Sequence, residues 1–130
     1  EARGKIMFMF DGAEFSKVYK GDKKSLEGKL IFTNPNENDD DAAFVKVNDP
    51  FDPRIKSLVK QGFLVRSMIG GVKEAKSGDY SKWNAGKAAG VQFLSTDYYK
   101  ADERAGVVEG WTDFHVGLEN HSYCINPITK

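Results

Sequence analysis

Runs of apolar residues, separated by polar and turn-forming stretches, divide the chain into alternating predicted strands and helices. The strand runs are apolar at successive positions, which is typical of strands buried on both faces of a parallel α/β sheet. Turn-forming or charged residues follow each run and predict where the strand ends. The predicted strands cover residues 5–10, 29–33, 42–47, 63–65 and 91–94, and residues 114–116 and 123–125 suit two further short strands.

Two segments between these strands carry the signals of helix starts and stops. Pro53 suits the first turn of a helix, with Asp52 as its N-cap. Either Ser77 or Asp79 can cap a later helix that ends at Gly90. The apolar positions at helical spacing in the first helix are Ile55, Leu58 and Val59. Strands alternating with such helices predict βαβ units around a parallel sheet.

Polar side chains recur where the predicted strands end. They are Asp11, Asn48, Asp49, Arg66, Ser95, Thr96 and Asp97. In parallel α/β structures, ligand sites form at the carboxyl ends of the strands. The alternative is that strand ends are polar because they meet water. An arginine directly after an apolar strand is harder to explain by solvation alone, so we expect part of a polar site here.

Charge, composition and the absence of certain motifs argue against several other classes of protein. The 130 residues include 19 basic and 19 acidic residues, so no net positive field would attract nucleic acid. No apolar run reaches the length of about 18 residues that a transmembrane helix needs. The chain has no P-loop, dinucleotide fingerprint or nucleophile elbow. Its histidines, His115 and His121, and its single cysteine, Cys124, do not have zinc-site spacing.

Several stretches, taken in order, resemble the calcium-dependent phosphoinositide-specific phospholipase C-like family, within the phospholipase C-like phosphodiesterase superfamily. The stretches are residues 3–8, 48–50, 62–67, 89–98 and 124–127, with Ile55, Leu58 and Val59 between them. Their order and spacing agree over almost the whole chain. One departure follows Val65 and Arg66, where the family pattern is similar to Val-Arg-Thr-Arg-Ala-Asp. This chain has Met68 in place of the second arginine and Gly70 in place of the aspartate.

The resemblance implies the second half of a (β/α)8 TIM-type barrel, about strands five to eight. Residues 1–130 would form this C-terminal half, and residues 102–130 an irregular tail that closes the barrel. It also implies a secreted, calcium-assisted phosphodiesterase that cleaves a diester such as phosphatidylinositol. The catalytic histidines and most calcium ligands would lie in the N-terminal half.

The resemblance also implies roles for the strand-end residues. Arg66 would bind the phosphate, because an arginine holds phosphate through a charged bidentate fork. The residues that would shape the polar end of the site are Asp11, Asn48, Asp49, Asp97 and Tyr98. Tyr98 is also a candidate to stack on a sugar or inositol ring.

Half of a barrel leaves sheet edges and an apolar face uncovered. The expected inward residues are Phe8, Phe10, Val45, Val65 and Phe93. We therefore expect the chain to pair with its N-terminal half as a separate chain, or with a copy of itself. Cys124 is a candidate for a disulfide to that half; the alternative is a small buried apolar residue. Peripheral lipid contact is a further expectation.

Other interpretations stay open from the sequence. The altered segment from Met68 to Gly70 also suits a non-catalytic barrel protein that binds sugars or lipid headgroups, or an assembly component. Gly70 and Gly71 suit a phosphate loop as well as a flexible one. Residues 38–41, one asparagine and three aspartates, suit either a hard-cation site or a solvated acidic loop.

Overall fold

Parallel strands alternate with helices throughout the computed structural model, which describes residues 6–12 and 14–117. Within those residues the chain forms five strands and four helices. In chain order they are β1 Phe8–Met9, α1 Glu14–Lys20, β2 Ile31–Phe32, β3 Phe44–Lys46, α2 Arg54–Lys60, β4 Leu64–Gly70, α3 Val72–Ser77, α4 Ser81–Ala89 and β5 Phe93–Thr96. The predicted α/β class is confirmed. None of these helices combines the length and apolarity that crossing a membrane requires.

The strands belong to two parallel sheets. One contains β1 and β2, and the other has the order β3-β4-β5 with β4 in the centre. In the larger sheet Lys46 lies beside Arg66, and Arg66 lies beside Phe93. The register between β4 and β5 shifts between Met68 and Gly70. This arrangement is compatible with part of a barrel, because barrel strands are likewise parallel and alternate with helices.

One face of the larger sheet is covered by helices and forms the main core. Its buried strand residues Val45, Val47 and Val65 pack against Ile55, Leu58 and Val59 of α2. The expectation that Val45 and Val65 point inward is therefore wrong. Phe10, also expected inward, packs against rings of α1, with its ring 5.2 Å from that of Tyr19. A strand that is apolar on both faces does not reveal which face a helix will cover.

The opposite face of the larger sheet follows from the alternation of side chains along its strands. We call it the inner face. It carries Phe44 and Lys46 of β3, Leu64, Arg66 and Met68 of β4, and Phe93 and Ser95 of β5. Phe93 was expected inward and lies on this face.

Strand β4 is longer than the sequence predicts. It extends from Leu64 to Gly70, whereas the apolar run covers only residues 63–65. Arg66 consequently lies within β4, not after its end as expected. Residues 66 and 67 stay in the sheet although they are polar, because β4 pairs with β3 on one side and with β5 on the other. In addition, the Ser67 hydroxyl donates to the Val47 carbonyl at 2.6 Å.

The predicted signals Asp52 and Asp79 each lie one residue before the observed N-caps of α2 and α4, which are Pro53 and Tyr80. Helix α2 begins at Arg54, whose N–H donates to the Asp52 carboxylate at 2.9 Å. Helix α4 begins at Ser81, whose N–H donates to the Asp79 carboxylate at 2.8 Å. Gly90 follows α4 with a φ of 82°, the left-handed conformation that favours glycine at a helix end.

The described part of the tail packs over α3 and completes a second core. The members of this core are Ile69, Ala75, Tyr98, Phe114 and Val116. The Thr112 N–H donates to the Ala75 carbonyl at 3.1 Å, and the Val116 N–H donates to the Tyr98 carbonyl at 2.8 Å. Residues 114–116 do not form the predicted strand. The burial of Phe114 and isolated backbone hydrogen bonds, such as that of Val116, hold this segment in place. The predicted strand at 123–125 lies outside the described residues.

Candidate functional site

Two basic side chains lie next to each other at the centre of the inner face. Lys46 of β3 and Arg66 of β4 are paired in the parallel register. Both are half-buried, although strand interiors disfavour charged side chains. The two cations are therefore candidates to hold a negatively charged ligand.

Lys46 is held by Asp11, which follows β1. The Lys46 Nζ donates to Asp11 Oδ1 at 2.8 Å and lies 3.3 Å from the Asp11 carbonyl oxygen. The hydrogen bond and charge of Lys46 hold the pKa of Asp11 below its ordinary value. The same Asp11 carbonyl accepts a hydrogen bond from Asn34 Nδ2 at 2.8 Å. Asp11 thus joins the end of β1 to the larger sheet and fixes the lysine.

Arg66 is held by Asn48, which follows β3. The Arg66 Nη1 donates to Asn48 Oδ1 at 2.9 Å. In the described part of the chain, no other hydrogen bond or ion pair is seen at the guanidinium group. Its remaining N–H groups can therefore form the bidentate fork that suits a phosphate.

A cleft of about 300 Å³ opens in front of Arg66. Its lining is otherwise mostly aromatic and thioether side chains: Met7, Phe8, Met9, Phe32, Phe44, Phe93, Leu94 and Ser95. Phe44 and Phe93 contact each other with ring centroids 5.1 Å apart. An apolar cleft with one cation at its base suits a ligand that combines a single anionic group with apolar surface.

The remaining predicted site residues lie apart from this group. Asp49 is exposed and accepts the Phe51 N–H at 3.0 Å, which stabilises the turn before α2. Asp97 is exposed after β5, and its N–H donates to the Gly70 carbonyl at 3.1 Å. Tyr98 is only 8% exposed and contacts Trp111 and Phe114 in the second core. Its ring is therefore part of the packing and not a free stacking surface.

Lys46 is the candidate site residue that the sequence analysis missed. A signal was present, since it is the single charged residue in the apolar run of residues 42–47. A lysine inside a strand that is otherwise apolar on both faces needs a partner or a ligand. Asp11, Asn48 and Arg66, which the sequence did indicate, come together around it.

The altered positions 68 and 70 have different surroundings. Met68 lies on the inner face beyond Arg66, with its sulfur 3.5 Å from the Ser95 hydroxyl oxygen. Gly70 is buried, and a Cβ there would lie 2.7 Å from Thr96 Oγ1 and 2.9 Å from a Phe114 ring carbon. An acidic side chain at position 70 therefore has no room in this packing.

The Gly71 N–H is not free to bind a phosphate, and Gly70 belongs to β4. The Gly71 N–H donates to Glu74 Oε2 at 3.0 Å, so the protein's own carboxylate occupies the start of α3. Glu74 is buried and pairs with Lys82 at 3.0 Å. Burial opposes its ionisation, but the bonds from Lys82 and Gly71 outweigh it and hold the pKa of Glu74 below its ordinary value. The Gly71 N–H therefore binds a carboxylate of the protein itself.

The described residues do not fit a calcium site. Within 6–12 and 14–117, no three acidic, histidine or cysteine side chains come together to hold a metal ion. In the acidic loop, Asp41 points inward to Lys20 and Thr33, and Asp39 accepts the Asn36 N–H. His115 is exposed, with its Nδ1 2.9 Å from the Asp113 carbonyl oxygen. His121 and Cys124 lie outside the described residues.

Comparison with known proteins adds one positive result. The family model described as phosphoinositide phospholipase C, Ca²⁺-dependent, matches residues 1–127. No curated protein and no solved structure matches the chain. The matched range includes both sheets and all residues of the inner face.

Proposed function

Since the chain belongs to the calcium-dependent phosphoinositide phospholipase C family, we propose that it supplies the phosphate-binding side of a phospholipase C-like phosphodiesterase. The observation that supports this is the pair Lys46 and Arg66 on the inner face, fixed by Asp11 and Asn48. A phosphodiester carries one negative charge, and more charge develops on its oxygens as the leaving group departs. Preorganised cations stabilise that developing charge.

The two cations have distinct roles in this proposal. The free N–H groups of Arg66 bind two phosphate oxygens in a fork, which fixes the orientation of the diester. Lys46 acts as a point charge beside it. Asp11 orients Lys46 and is a weak proton acceptor, because its pKa lies below the ordinary value.

A phosphodiesterase also needs a general base and a general acid. In the described part of the chain, no histidine lines the cleft in front of Arg66, and the carboxylate in contact with Lys46 is the weak base Asp11. We propose that these groups, and any calcium ligands, come from the N-terminal half of a (β/α)8 barrel. The enzyme would be secreted, and Cys124 could link the halves if they are separate chains.

The apolar inner surface supports the need for a completing half. Phe8 is 60% exposed although it lies in a strand, and it lines the cleft with Phe32 and Phe93. In a closed barrel, such residues pack against side chains from the opposite strands. The N-terminal half would provide that opposing layer.

The test is hydrolysis of phosphatidylinositol by the chain, alone and combined with the N-terminal half. We expect activity only in the combination, and a loss of about 10²-fold or more in kcat/KM for Arg66→Met. Arg54→Met is the matched control, because Arg54 is an exposed arginine paired with Asp52 and Glu37 away from the inner face. Activity from the isolated chain, or an unaffected Arg66→Met enzyme, would contradict the proposal.

A second candidate is a barrel protein that binds a sugar or headgroup phosphate without cleaving it. Met68 favours it, because the inner face there has a thioether where the family pattern has an arginine. Tight binding of glycerophosphoinositol by the combined halves, with no turnover of phosphatidylinositol, would select this candidate. Loss of that binding in Arg66→Met would still assign the phosphate to the same site.

A further inference from the structure

We propose that the solvent-facing side of helices α2 and α4 binds a linear acidic polysaccharide, apart from the reaction proposed for the inner face. Over the whole chain, basic and acidic residues are equal in number. The two helices do not share this balance, because α2 contains three basic residues, α4 contains two, and neither contains an acidic one. Positive charge is therefore concentrated on one side of the molecule, and a patch of this kind attracts polyanions.

Three of these five cations are not compensated by a carboxylate in the described part of the chain. Arg54 pairs with Asp52 and Glu37, and the half-buried Lys82 pairs with Glu74. The other three are exposed and form no ion pair with any described residue. They are Lys56, Lys60 and Lys87, which we call the outer basic surface.

The outer basic surface lies on the side of the larger sheet away from the cleft. Ile55 and Val59 of α2 and Ala89 of α4 belong to the same buried core, so both helices cover the same face of the sheet and turn their lysines to solvent. Closing a barrel adds strands at the sheet edges and side chains on the inner face, and it leaves the outer helices exposed. The surface therefore stays accessible when the N-terminal half is bound.

This surface lacks the apolar centre of an interface between folded proteins, from whose core charged residues are depleted. In the described part of the chain, the exposed large apolar side chains lie outside α2 and α4, and the nearest in sequence are Phe51 and Tyr80. A flexible polyanion needs only charge and is the better match. Apart from the basic residues, the exposed positions of the two helices are Ser57, Ser81, Asn84 and Ala88.

Two other anionic partners fit this surface less well. Nucleic acids are usually held by arginines and by aromatic faces that stack on bases. Here the uncompensated cations are lysines, and the Lys87 ammonium group covers the face of Trp83, 4.7 Å from the ring centroid. An anionic bilayer bound through these helices would lie on the far side of the sheet from Arg66, so its headgroups could not enter the cleft.

The experiment is titration calorimetry of the protein in its native assembly with oligogalacturonate, a linear polymer with one carboxylate on each sugar. Lysines that bind a polyanion release its counterions, so the affinity falls as salt rises. We expect binding at low salt that weakens about tenfold or more when the sodium chloride concentration is raised about fourfold. No binding at low salt, or an affinity that does not depend on salt, would overturn the proposal.

A triple variant, Lys56→Gln with Lys60→Gln and Lys87→Gln, tests whether this surface is the binding site. We expect its affinity for oligogalacturonate at low salt to fall about tenfold or more, because each exposed ion contact is weak and the three act together. All three side chains are exposed, so the fold should be retained, which circular dichroism checks. An unchanged affinity would refute the assignment.

The matched control removes the same charge from another part of the chain. It combines Lys17→Gln, Lys23→Gln and Lys24→Gln, three exposed lysines in and after α1. Its affinity should change by less than about threefold. Equal losses in the two triple variants would show that total charge, and not the outer basic surface, determines binding.

Two further probes identify the competing partners. Tighter binding of single-stranded DNA than of oligogalacturonate of equal charge would assign the surface to nucleic acid. Vesicles of phosphatidylserine and phosphatidylcholine that sediment the wild type but not the variant lacking the surface would assign it to a membrane. Either result would overturn the proposal. Hydrolysis of dispersed phosphatidylinositol should not differ between that variant and the wild type, so the proposed reaction is judged by a separate measurement.

Discussion

At the scale of single residues, the side chains around position 70 leave no room for a residue larger than glycine. Thr96 and Phe114 approach the position where its Cβ would stand, at 2.7 and 2.9 Å. We expect Gly70→Ala to lower the free energy of unfolding by about 1–3 kcal/mol, because extra volume in a filled core forces displacements. Chemical denaturation followed by tryptophan fluorescence measures the change.

Gly117→Ala is the control for that substitution. Among the residues that the structure describes, leaving out its chain neighbours, no atom lies within 4 Å of the position its Cβ would take, and its φ is not in the left-handed region. Its unfolding free energy should stay within about 0.5 kcal/mol of the wild-type value. Equal stability of the two variants would show that the contacts at Gly70 are not tight.

Lys46 and Arg66 show how much of the candidate site the residue pattern predicts without the structure. Arg66 stood out because it follows an apolar run, but its place inside β4 depends on pairing with β3 and β5. Lys46 was overlooked because a single charge in a strand is not informative until its neighbours are known. The two residues are 20 positions apart in sequence and become neighbours only through strand register.

At the scale of elements, a buried carboxylate joins the smaller sheet to the larger one. Asp41, before β3, accepts hydrogen bonds at 2.8 Å from Lys20 of α1 and from Thr33, which follows β2. Asp41 is 4% exposed and Thr33 is fully buried. Burial opposes the ionisation of Asp41, but the bonds from Lys20 and Thr33 outweigh it and keep its pKa below the ordinary value of 3.8.

This junction predicts an acid-dependent loss of stability. A carboxyl group whose folded pKa is lowered stabilises the fold above its unfolded pKa, and this contribution disappears as the pH falls through the folded pKa. The unfolding free energy should therefore fall as the pH drops below about 4. Asp41→Asn should be less stable at pH 7 by about 1–3 kcal/mol and should lose less stability than the wild type on acidification.

Urea denaturation at a series of pH values measures both effects. Asp40→Asn is the control, because Asp40 is an exposed neighbour in the same acidic loop. Its stability should follow the wild-type pH profile. An Asp41→Asn profile that is parallel to that of the wild type would show that the junction does not titrate with folding.

At the scale of the whole molecule, the inner cleft leaves apolar surface in contact with water. Phe8 and Met7 are among its exposed lining residues, and exposed apolar patches of this kind promote association. We expect the isolated chain to self-associate at micromolar concentration and to bind an apolar dye. Sedimentation velocity with and without the N-terminal half measures this.

A charge placed in the cleft should reduce that association. Phe8→Asp is the test, and Val18→Asp is its control, since Val18 is an exposed apolar residue of α1 that does not line the cleft. We expect only Phe8→Asp to shift the isolated chain towards monomer and to weaken its binding to the N-terminal half. A wild-type chain that sediments as a stable monomer would contradict an uncovered inner face.

The sequence alone determined the order of the five strands, the positions of α2 and α4, the parallel α/β class and the resemblance to phospholipase C-like proteins, but it did not predict α3. These features are local, because apolar runs, the helix-start signals Asp52 and Asp79 and short motifs are properties of neighbouring residues. It also indicated three members of the candidate site: Asp11, Asn48 and Arg66.

Only the tertiary structure decided which face of each strand meets the helices. Val45 and Val65 pack against α2, so Lys46 and Arg66 project onto the inner face. The tertiary structure also buries Tyr98 in the second core, and in it the Gly71 N–H donates a hydrogen bond to Glu74. These outcomes depend on contacts between residues distant in sequence, and a strand that is apolar on both faces carries no signal that determines them.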